Sequence, residues 1–379
     1  MQSSAKLVAL ILLCALTGCS SFFSKSEGKN APAALLDFKP NMLVKSVWSV
    51  SVGGAANYVF SPAYVAQDVY AAAADGTLVR IDASSGRAVW RINAGMRLTA
   101  GVGANDTTVA VAGDKGFILA FDADGKLRWK AQASSEILSA PAVGQGLVVV
   151  RSTDNKIAAY DAETGVRKWS VERPLPVLTL RTIPGITIAE QMALVALPGG
   201  RMAAFALNNG GVRWEANVGE PKGATELERV ADVSGTPVVI GREVCASAYQ
   251  GRVGCYDLAS GALRWAKNFS SEVGVSADER FVFAADNGGA VSAYSRSAGA
   301  SVWRNDKLAF RHLSAPASFG RAVAVGDLAG YVHFLSREDG SFIGRVGTDG
   351  SQILATPIVA GSNLIVQTKS GSVVALATE

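Results

Sequence analysis

The sequence has 379 residues, of which 49% are hydrophobic and only 18% charged, and it contains 40 glycines. The formal charge is +4, and the lysines and arginines are scattered rather than clustered, which excludes the dense basic patch that nucleic-acid binding requires. The abundant glycine suits many short strands joined by tight turns.

The N-terminal residues predict a processing segment rather than part of a fold. Lys6 precedes a short apolar run, residues 7–15, which is too short to cross a bilayer as a helix. Residues 16–18 are Leu-Thr-Gly and come directly before Cys19, a pattern that resembles a bacterial lipobox. We therefore expect residues 1–18 to be a lipoprotein signal peptide and Cys19 to be lipidated. The alternative is an ordinary signal peptide that ends near a cysteine.

The residues after Cys19 indicate location and a tether. Ser20 resembles the sorting pattern for the outer membrane, so we expect the chain on the periplasmic face of that membrane in a Gram-negative bacterium. No later run approaches membrane-spanning length, so acyl chains on Cys19 would supply the only membrane contact. Residues 19–40 have few large apolar side chains and predict a flexible tether. The folded domain is then expected over residues 41–379.

Tryptophan marks a repeat of about 40 residues. The seven tryptophans are Trp48, Trp90, Trp129, Trp169, Trp214, Trp265 and Trp303. All except Trp48 follow a glycine by four residues, and each closes a strand-like run. An eighth unit ends at Gly344, where tryptophan would stand. A period near 40 with strand-like, glycine-punctuated units is typical of the four-stranded blades of a β-propeller.

The two ends of the chain predict how the ring closes. The last unit has strand-like runs at 358–366 and 371–376 but no tryptophan strand, whereas the first tryptophan strand, 44–52, has no preceding strands of its own. Pairing that N-terminal strand with the C-terminal strands completes a blade and removes two open edges. We therefore predict an all-β, eight-bladed propeller of four-stranded antiparallel blades. Seven blades with an unrelated tail is the alternative.

Two consecutive repeats are longer than the rest, because extra residues follow their tryptophan strands at 171–184 and 220–235. Equivalent connections of neighbouring blades emerge on one face, so we expect the two insertions to form one feature on one rim, where function concentrates. Leu178 and Leu180 share one side of an extended segment, and Arg181 beside them offers a planar donor fork.

The second insertion supplies charged residues around these leucines, namely Glu226, Glu228, Arg229 and Asp232. Leucines with an arginine, rimmed by acidic residues, indicate a protein-docking patch. The alternative is that the leucines only cover the end of the sheet.

Two cysteines fall inside the predicted propeller. Cys245 and Cys255 flank a turn at Tyr249–Arg252. A two-residue turn would put them on opposite faces, whereas a three-residue turn with Gly251 in the left-handed conformation would place them directly opposite each other. A disulfide is then allowed in the oxidising periplasm, and both arrangements remain open.

The repeat resembles the tryptophan-docking repeat of quinoprotein propellers. Good copies are Arg80–Trp90 and Ala159–Trp169, and three copies replace the usual aspartate with Ala206, Ser295 or Ser336. With the lipobox and eight compact blades, the mature chain resembles the family of propeller lipoproteins in the β-barrel assembly machinery. This resemblance implies a non-enzymatic accessory subunit, without cofactor or metal, in the assembly and insertion of β-barrel outer-membrane proteins.

The same resemblance implies partners and contact residues. In that family a Leu-x-Leu-Arg segment and a nearby Asp-x-Asp segment contact the periplasmic domains of the central barrel subunit. Leu178, Leu180 and Arg181 match the first segment. Asp232 matches the second, where Ser234 replaces the other aspartate. Unfolded outer-membrane proteins are a second expected partner, received by strand addition at an outer blade edge.

Two other functions fit a propeller. A quinone-dependent dehydrogenase would need calcium ligands, a catalytic aspartate and often adjacent cysteines, and the sequence has no such cysteine pair. His312 and His333 lie in separate repeats, and each is better explained as a solvated or core histidine. The other alternative is a periplasmic binder of peptides or cell-wall glycan in the central channel, which no motif marks.

Overall fold

Residues 30–180 and 183–379 are described by a computed structural model, and this part of the chain is all-β, with 32 strands in eight four-stranded antiparallel sheets. We number the sheets as blades in chain order. The predicted signal peptide, residues 1–18, and the predicted lipidation site, Cys19, lie outside the described residues. Within the described residues, no helix has the length and apolar character needed to cross a bilayer.

The first four blades run from Ala63 to Asn217. Blade 1 contains β2 (Ala63–Val65), β3 (Asp68–Ala72), β4 (Thr77–Asp82) and β5 (Ala88–Asn93). Blade 2 contains β6 (Gly103–Ala104), β7 (Val109–Ala112), a 3-10 turn (Asp114–Gly116), β8 (Phe117–Phe121) and β9 (Leu127–Gln132). Blade 3 contains β10 (Ala142–Gly144), β11 (Leu147–Arg151), β12 (Lys156–Asp161) and β13 (Arg167–Glu172). Blade 4 contains β14 (Ile186–Ala189), β15 (Met192–Leu197), β16 (Arg201–Ala206) and β17 (Val212–Asn217).

The remaining blades complete the ring. Blade 5 contains β18 (Val233–Ile240), β19 (Glu243–Ala248), β20 (Gly251–Asp257) and β21 (Leu263–Phe269). Blade 6 contains β22 (Val275–Ala277), β23 (Phe281–Ala285), β24 (Val291–Ser295) and β25 (Ser301–Asn305). Blade 7 contains β26 (Ala317–Phe319), β27 (Ala322–Gly326), β28 (Tyr331–Ser336) and β29 (Phe342–Gly347). Blade 8 contains β30 (Ile358–Ala360), β31 (Asn363–Gln367), β32 (Ser372–Thr378) and β1 (Val44–Ser51).

Blade 8 closes the ring as predicted. Its fourth strand is β1, which pairs antiparallel with β32 from Val44↔Thr378 to Ser51↔Ser372. The first strands of neighbouring blades contact one another all the way round, including β30 of blade 8 and β2 of blade 1. The predicted eight-bladed propeller and its closure by the N-terminal strand are confirmed.

The hydrophobic core is divided among the blade interfaces. Each of the eight buried clusters joins two neighbouring blades, such as blades 4 and 5 or blades 8 and 1. Small and branched apolar residues fill these clusters because the sheets pack face to face at close range. The ring is therefore held by eight similar layers, and no single centre dominates.

The tryptophans fasten one blade to the next. Each indole nitrogen donates a hydrogen bond of 2.6–3.0 Å to a backbone carbonyl in the turn before the next blade's fourth strand; the acceptors are Ala83, Ala123, Ala162, Leu207, Leu258, Arg296 and Arg337. The indole lies against the glycine of that turn. At Gly261, for example, φ is +69° and an added Cβ would lie 2.6 Å from the Trp214 ring. The tryptophans are therefore structural, as the repeat predicts.

The interface without a tryptophan has a physical explanation. The third and fourth strands of blade 8, β32 and β1, are not consecutive in the chain, so no turn of the kind that receives an indole joins them. At Gly344 an added Cβ would instead lie 3.0 Å from Val44 and 3.2 Å from the Met42 carbonyl oxygen. The segment that leads into β1 thus occupies the place of the missing tryptophan.

Residues 33–42 lie along blade 7. The backbone N–H groups of Asn41 and Met42 donate to the Ile343 carbonyl at 3.1 and 3.0 Å. Earlier in the same segment, the Leu36 carbonyl accepts a hydrogen bond from the Arg345 guanidinium at 2.9 Å. The expected tether therefore does not extend to residue 40, because the chain is attached to the propeller from Ala33 onward.

A buried charged network supports this attachment. The Asp327 carboxylate is fully buried and accepts hydrogen bonds from Arg311 at 2.7 Å and from His333 at 2.9 Å. Arg311 also donates to the Ala33 carbonyl at 2.8 Å. Burial lowers the pKa of His333, against the opposing effect of Asp327. His333 is a core histidine, and His312 is exposed, as expected for both.

Candidate docking site

The two insertions emerge on the same face of the propeller. Each joins the fourth strand of one blade to the first strand of the next, β13 to β14 and β17 to β18. Their starts meet around a cavity of about 540 Å³ that is lined by Arg173, Pro174, Leu175 and Pro176 of the first insertion and by Gly219, Glu220 and Pro221 of the second. The expected single feature on one rim is therefore present among the described residues.

The first insertion is fastened where it leaves blade 3. Asn155 is buried in the turn between β11 and β12, and its side-chain amide donates to the carbonyls of Arg173 and Pro174 at 3.4 and 2.9 Å. Arg173 forms an ion pair with Glu215 of blade 4. These contacts fix residues 173–174, while the residues beyond them extend over the face.

The second insertion contains a capped turn. The Glu228 carboxylate accepts backbone N–H groups from Ala224 and Thr225 at 2.7 and 3.0 Å, and the Thr225 hydroxyl accepts the Glu228 N–H at 3.3 Å. This reciprocal arrangement is a capping box. The bond from the Thr225 N–H is the main cause that lowers the pKa of Glu228. Arg229 closes the turn by donating to the Gly223 carbonyl and to Glu226.

The side chain that this turn presents is Leu227, which is 74% exposed. Glu226, Glu228 and Arg229 are on the surface, as expected for a docking patch, but in the structure they shape the turn. Sequence reasoning singled out these charged residues and missed Leu227. The Thr-x-x-Glu pattern at Thr225–Glu228 was the signal that could have revealed the turn.

Asp232 belongs to the second insertion and forms a hydrogen bond with the first. Its carboxylate is buried and accepts the backbone N–H of Leu180 at 2.6 Å and that of Gly199 at 2.9 Å. Burial raises the pKa of Asp232, and the two N–H groups oppose that effect. The carboxylate therefore does not reach the surface. Asp232 holds the Leu180 backbone in place.

Ser234 occupies the position where the Asp-x-Asp pattern has its second acid. It is also buried, and its hydroxyl donates to the Asp232 carbonyl at 3.4 Å. A carboxylate at this position would face a carbonyl oxygen without a proton to donate. The serine is therefore compatible with its surroundings in this chain.

The exposed apolar residues of the first insertion are Leu175, Val177 and Leu178. Val177 is 82% exposed and Leu178 is 44% exposed, whereas Leu180 is only partly exposed above Asp232. Arg181 lies outside the described residues. We define the docking patch as Leu175, Val177, Leu178 and Leu227. Of these four, only Leu178 was singled out from the sequence.

A smaller cavity of about 180 Å³ lies beneath the first insertion. Leu175, Thr179 and Leu180 line one side, and Ser139, Arg151 and Asp232 come from the blades below. Arg151 is the last residue of β11, and nothing in the sequence marked it. No three His, Cys, Asp or Glu side chains in the described residues are arranged to hold a metal ion.

The two cysteines lie on neighbouring strands of blade 5. Cys245 and Cys255 face each other across β19 and β20 and form a buried disulfide. The register is that of the three-residue turn, but the left-handed residue is Gln250, with φ of +46°. The expectation of a left-handed Gly251 is wrong. Gly251 is needed for space, because its Cβ would lie 2.9 Å from the Gly219 Cα of the second insertion.

Comparison with known proteins gives a consistent result. A family model described as outer membrane protein assembly factor BamB matches residues 74–305 and 287–379. Outer membrane protein assembly factor BamB of Bordetella pertussis is 44% identical over 368 residues, covering 97% of this chain and 95% of that protein.

Solved structures show the same architecture. The crystal structure of BamB from Moraxella catarrhalis matches with a TM-score of 0.81 and 25% identity, covering 88% of this chain and 100% of that chain. Quinohemoprotein alcohol dehydrogenase from Comamonas testosteroni matches with a TM-score of 0.69 but only 14% identity, covering 88% of this chain and 76% of that chain. The second match shows a shared fold alone.

Proposed function

The chain belongs to the family of outer membrane protein assembly factor BamB and has an accessory role in outer-membrane protein assembly. We propose that it performs this role as a non-enzymatic scaffold. The scaffold docks onto the periplasmic domains of the central barrel subunit. The docking patch on the two insertions makes the contact. The family relationship supports the role, and the geometry of the insertions supports the location.

The observation that carries the proposal is the exposure of the docking patch. Leu175, Val177, Leu178 and Leu227 are exposed on loops, although such residues are normally buried. Grouped apolar residues on a surface mark interaction sites, and large side chains at the centre of an interface supply most of its binding energy. Elsewhere on the ring, exposed apolar residues such as Leu127 and Leu263 occur singly at strand starts, and single exposed apolar residues are normal on a protein surface.

Arg181 completes the patch in this proposal. It follows Leu180 directly, and the family's Leu-x-Leu-Arg segment ends with it. A planar guanidinium forms paired hydrogen bonds with a partner's carboxylate. Glu226, Glu228, Arg229 and Asp232 support the patch by holding the two loops in shape.

The chain is held at the outer membrane by lipid on Cys19 in the same proposal. Cleavage after residue 18 leaves Cys19 as the first residue, and residues 19–32 form the tether to the propeller. Two or more acyl chains anchor a protein stably, whereas one gives only marginal binding. Radiolabelled palmitate would label the natural chain but not the Cys19→Ala variant.

The docking is tested with Leu178→Asp in the full chain. The charge would have to be buried in the interface, so co-purification with the central barrel subunit should be lost. The matched control is Leu263→Asp, because Leu263 is 53% exposed at the start of β21, on the opposite face. Both variants should keep the far-ultraviolet circular dichroism and melting temperature of the natural chain. Unchanged co-purification of Leu178→Asp would refute the proposed docking site.

A further inference from the structure

Arg151 is only partly exposed and has no anionic partner among the described residues. One guanidinium nitrogen, Nη1, donates to the Asn155 amide oxygen at 3.0 Å. The Nε atom is buried and has no hydrogen-bond acceptor among the described residues. No carboxylate in that part of the chain forms an ion pair with Arg151, in contrast to Arg173 with Glu215 nearby.

The surroundings make this charge costly. Burial lowers the pKa of Arg151 to about 10, and Asp232 opposes this only from a distance. A guanidinium normally stays charged in proteins, so a fall of this size reports strong desolvation. A buried charge is usually paired and hydrogen-bonded, because leaving it unpaired costs several kcal/mol.

The cavity beside Arg151 has room for a side chain. Its volume is about 180 Å³, whereas a single water needs about 10–15 Å³. Ser139 and Thr179 add hydroxyl groups to its lining, whereas the Ser152 hydroxyl already donates to Asp154 and the Thr153 hydroxyl is hydrogen-bonded to Ser135. Hydroxyl donors together with a guanidinium form the environment that a carboxylate prefers.

Among the described residues, Asp232 is the only acidic one that lines the same cavity. Each of its carboxylate oxygens already accepts a backbone N–H, from Leu180 and from Gly199. These two bonds satisfy Asp232 without Arg151, so they leave the guanidinium available to a second carboxylate.

The cavity is part of the docking site. Leu175 and Leu180 line it, and Leu175 also belongs to the exposed docking patch. A partner that covers the patch would therefore cover the cavity as well and exclude water from it. Inside such an interface, an ion pair with an arginine is strong when both groups are hydrogen-bonded.

We propose that this cavity is a receptor for one Asp or Glu side chain of the docking partner, with Arg151 as its binding residue. The inference rests on the proposed docking of the central barrel subunit. It adds the chemistry of the contact, namely an acidic side chain flanked by apolar residues that cover Leu175 and Leu178. Arg151 would then act as a specificity residue at the base of the patch.

The first test measures the affinity of the full chain, purified in detergent, for the purified periplasmic domains of the central barrel subunit. Arg151→Gln should weaken binding by about tenfold to a hundredfold, which is typical for loss of a charge-assisted hydrogen bond. The matched control is Arg167→Gln, which removes the same charge from an exposed position in the same blade and should change affinity less than twofold. Arg151→Gln should not lower the melting temperature, because a desolvated charge is removed.

The second test separates binding from support of the loop, since Arg151 also contacts Asn155. Each Asp and Glu of the partner's domains is changed to its amide and combined with Arg151→Gln in a double-mutant cycle. One acidic residue should show coupling, so that the double variant is no weaker than either single one. Coupling to none of them would overturn the inference and leave Arg151 a structural residue.

The remaining outcomes are distinct. If Leu178→Asp abolishes binding but Arg151→Gln has no effect, the docking site stands and the carboxylate receptor falls. If Leu178→Asp has no effect, the docking site itself falls. If millimolar acetate protects the natural chain but not Arg151→Gln against thermal unfolding, while no partner residue couples, the cavity takes only free carboxylates and the partner assignment is overturned.

Discussion

Trp214 and Leu227 are both large apolar residues, but they have opposite environments. Trp214 lies in β17 of blade 4, and Leu227 lies in the insertion between blades 4 and 5. Trp214 is buried, donates to the Leu258 carbonyl at 3.0 Å and lies against Gly261. Leu227 is 74% exposed on a capped turn. The blade interfaces hide apolar surface in a repeated pattern, whereas the insertions display it where the pattern is interrupted. The difference separates residues that build the ring from residues that are free to contact a partner in the proposed docking.

The largest expected effect concerns the ring. Trp214→Ala removes a buried indole and its hydrogen bond, so it should lower the free energy of unfolding by about 3–5 kcal/mol. Below the melting temperature, affinity for the central barrel subunit should change little, since the docking patch is unaltered. Chemical denaturation and a binding titration on the same sample check both. If folded Trp214→Ala lost binding, residues that stabilise the ring could no longer be distinguished from residues that bind the partner.

An intermediate effect is expected where the two regions meet. Asp232→Ala leaves the N–H groups of Leu180 and Gly199 without their acceptor, so it should cost about 2 kcal/mol of stability. Docking should weaken as well, because the Leu180 backbone is released. Amide hydrogen exchange should rise at Leu180 and Gly199 but not at Ala216 in β17. Protection that stays unchanged at Leu180 would show that Asp232 does not hold the loop.

The smallest effect concerns the capped turn. Thr225→Ala should cost about 1 kcal/mol locally, in line with other N-cap losses, and should weaken docking only several-fold. The pKa of Glu228 is lowered in the fold, so its contribution is present above its unfolded pKa and is lost as pH falls through the lower folded value.

The natural chain should therefore lose docking affinity as the pH falls from the unfolded pKa of Glu228 through its lower folded pKa. Glu228→Gln should lose less affinity over the same pH range. Titrations at a series of pH values check this, with Glu163→Gln as the control because Glu163 is exposed in the turn between β12 and β13, on the face opposite the insertions. Equal pH profiles for all three chains would argue against a role of the capping box in docking.

The sequence was sufficient for the ring because the determinants of the ring repeat. Each tryptophan needs a glycine turn in the next blade, and both the tryptophans and these glycines recur at a regular spacing in the sequence. The same logic explains Gly344, because no turn joins the third and fourth strands of the next blade, β32 and β1. The attachment of residues 33–42 could not be predicted from the sequence, since it depends on Arg311 and Arg345, which are far from these residues in sequence.

The docking site was predicted only in part. Unequal repeat lengths located both insertions, and the leucine spacing identified Leu178. The roles of the charged residues depended on burial and on backbone partners. Asp232 is buried under the loop that it was expected to join on the surface, and Arg151 belongs to a strand without any local motif. Long-range packing decides such roles, and one sequence without structure does not record it.

The central claim is that the insertions, and not the rest of the ring, contact the central barrel subunit. Site-specific photo-crosslinking in growing cells tests it most directly, with the crosslinker at Val177, which is 82% exposed, and at Val89, which is 42% exposed on the outer strand β5. We predict a covalent adduct with the central barrel subunit from Val177 and none from Val89. An adduct from Val89 with none from Val177 would contradict the claim.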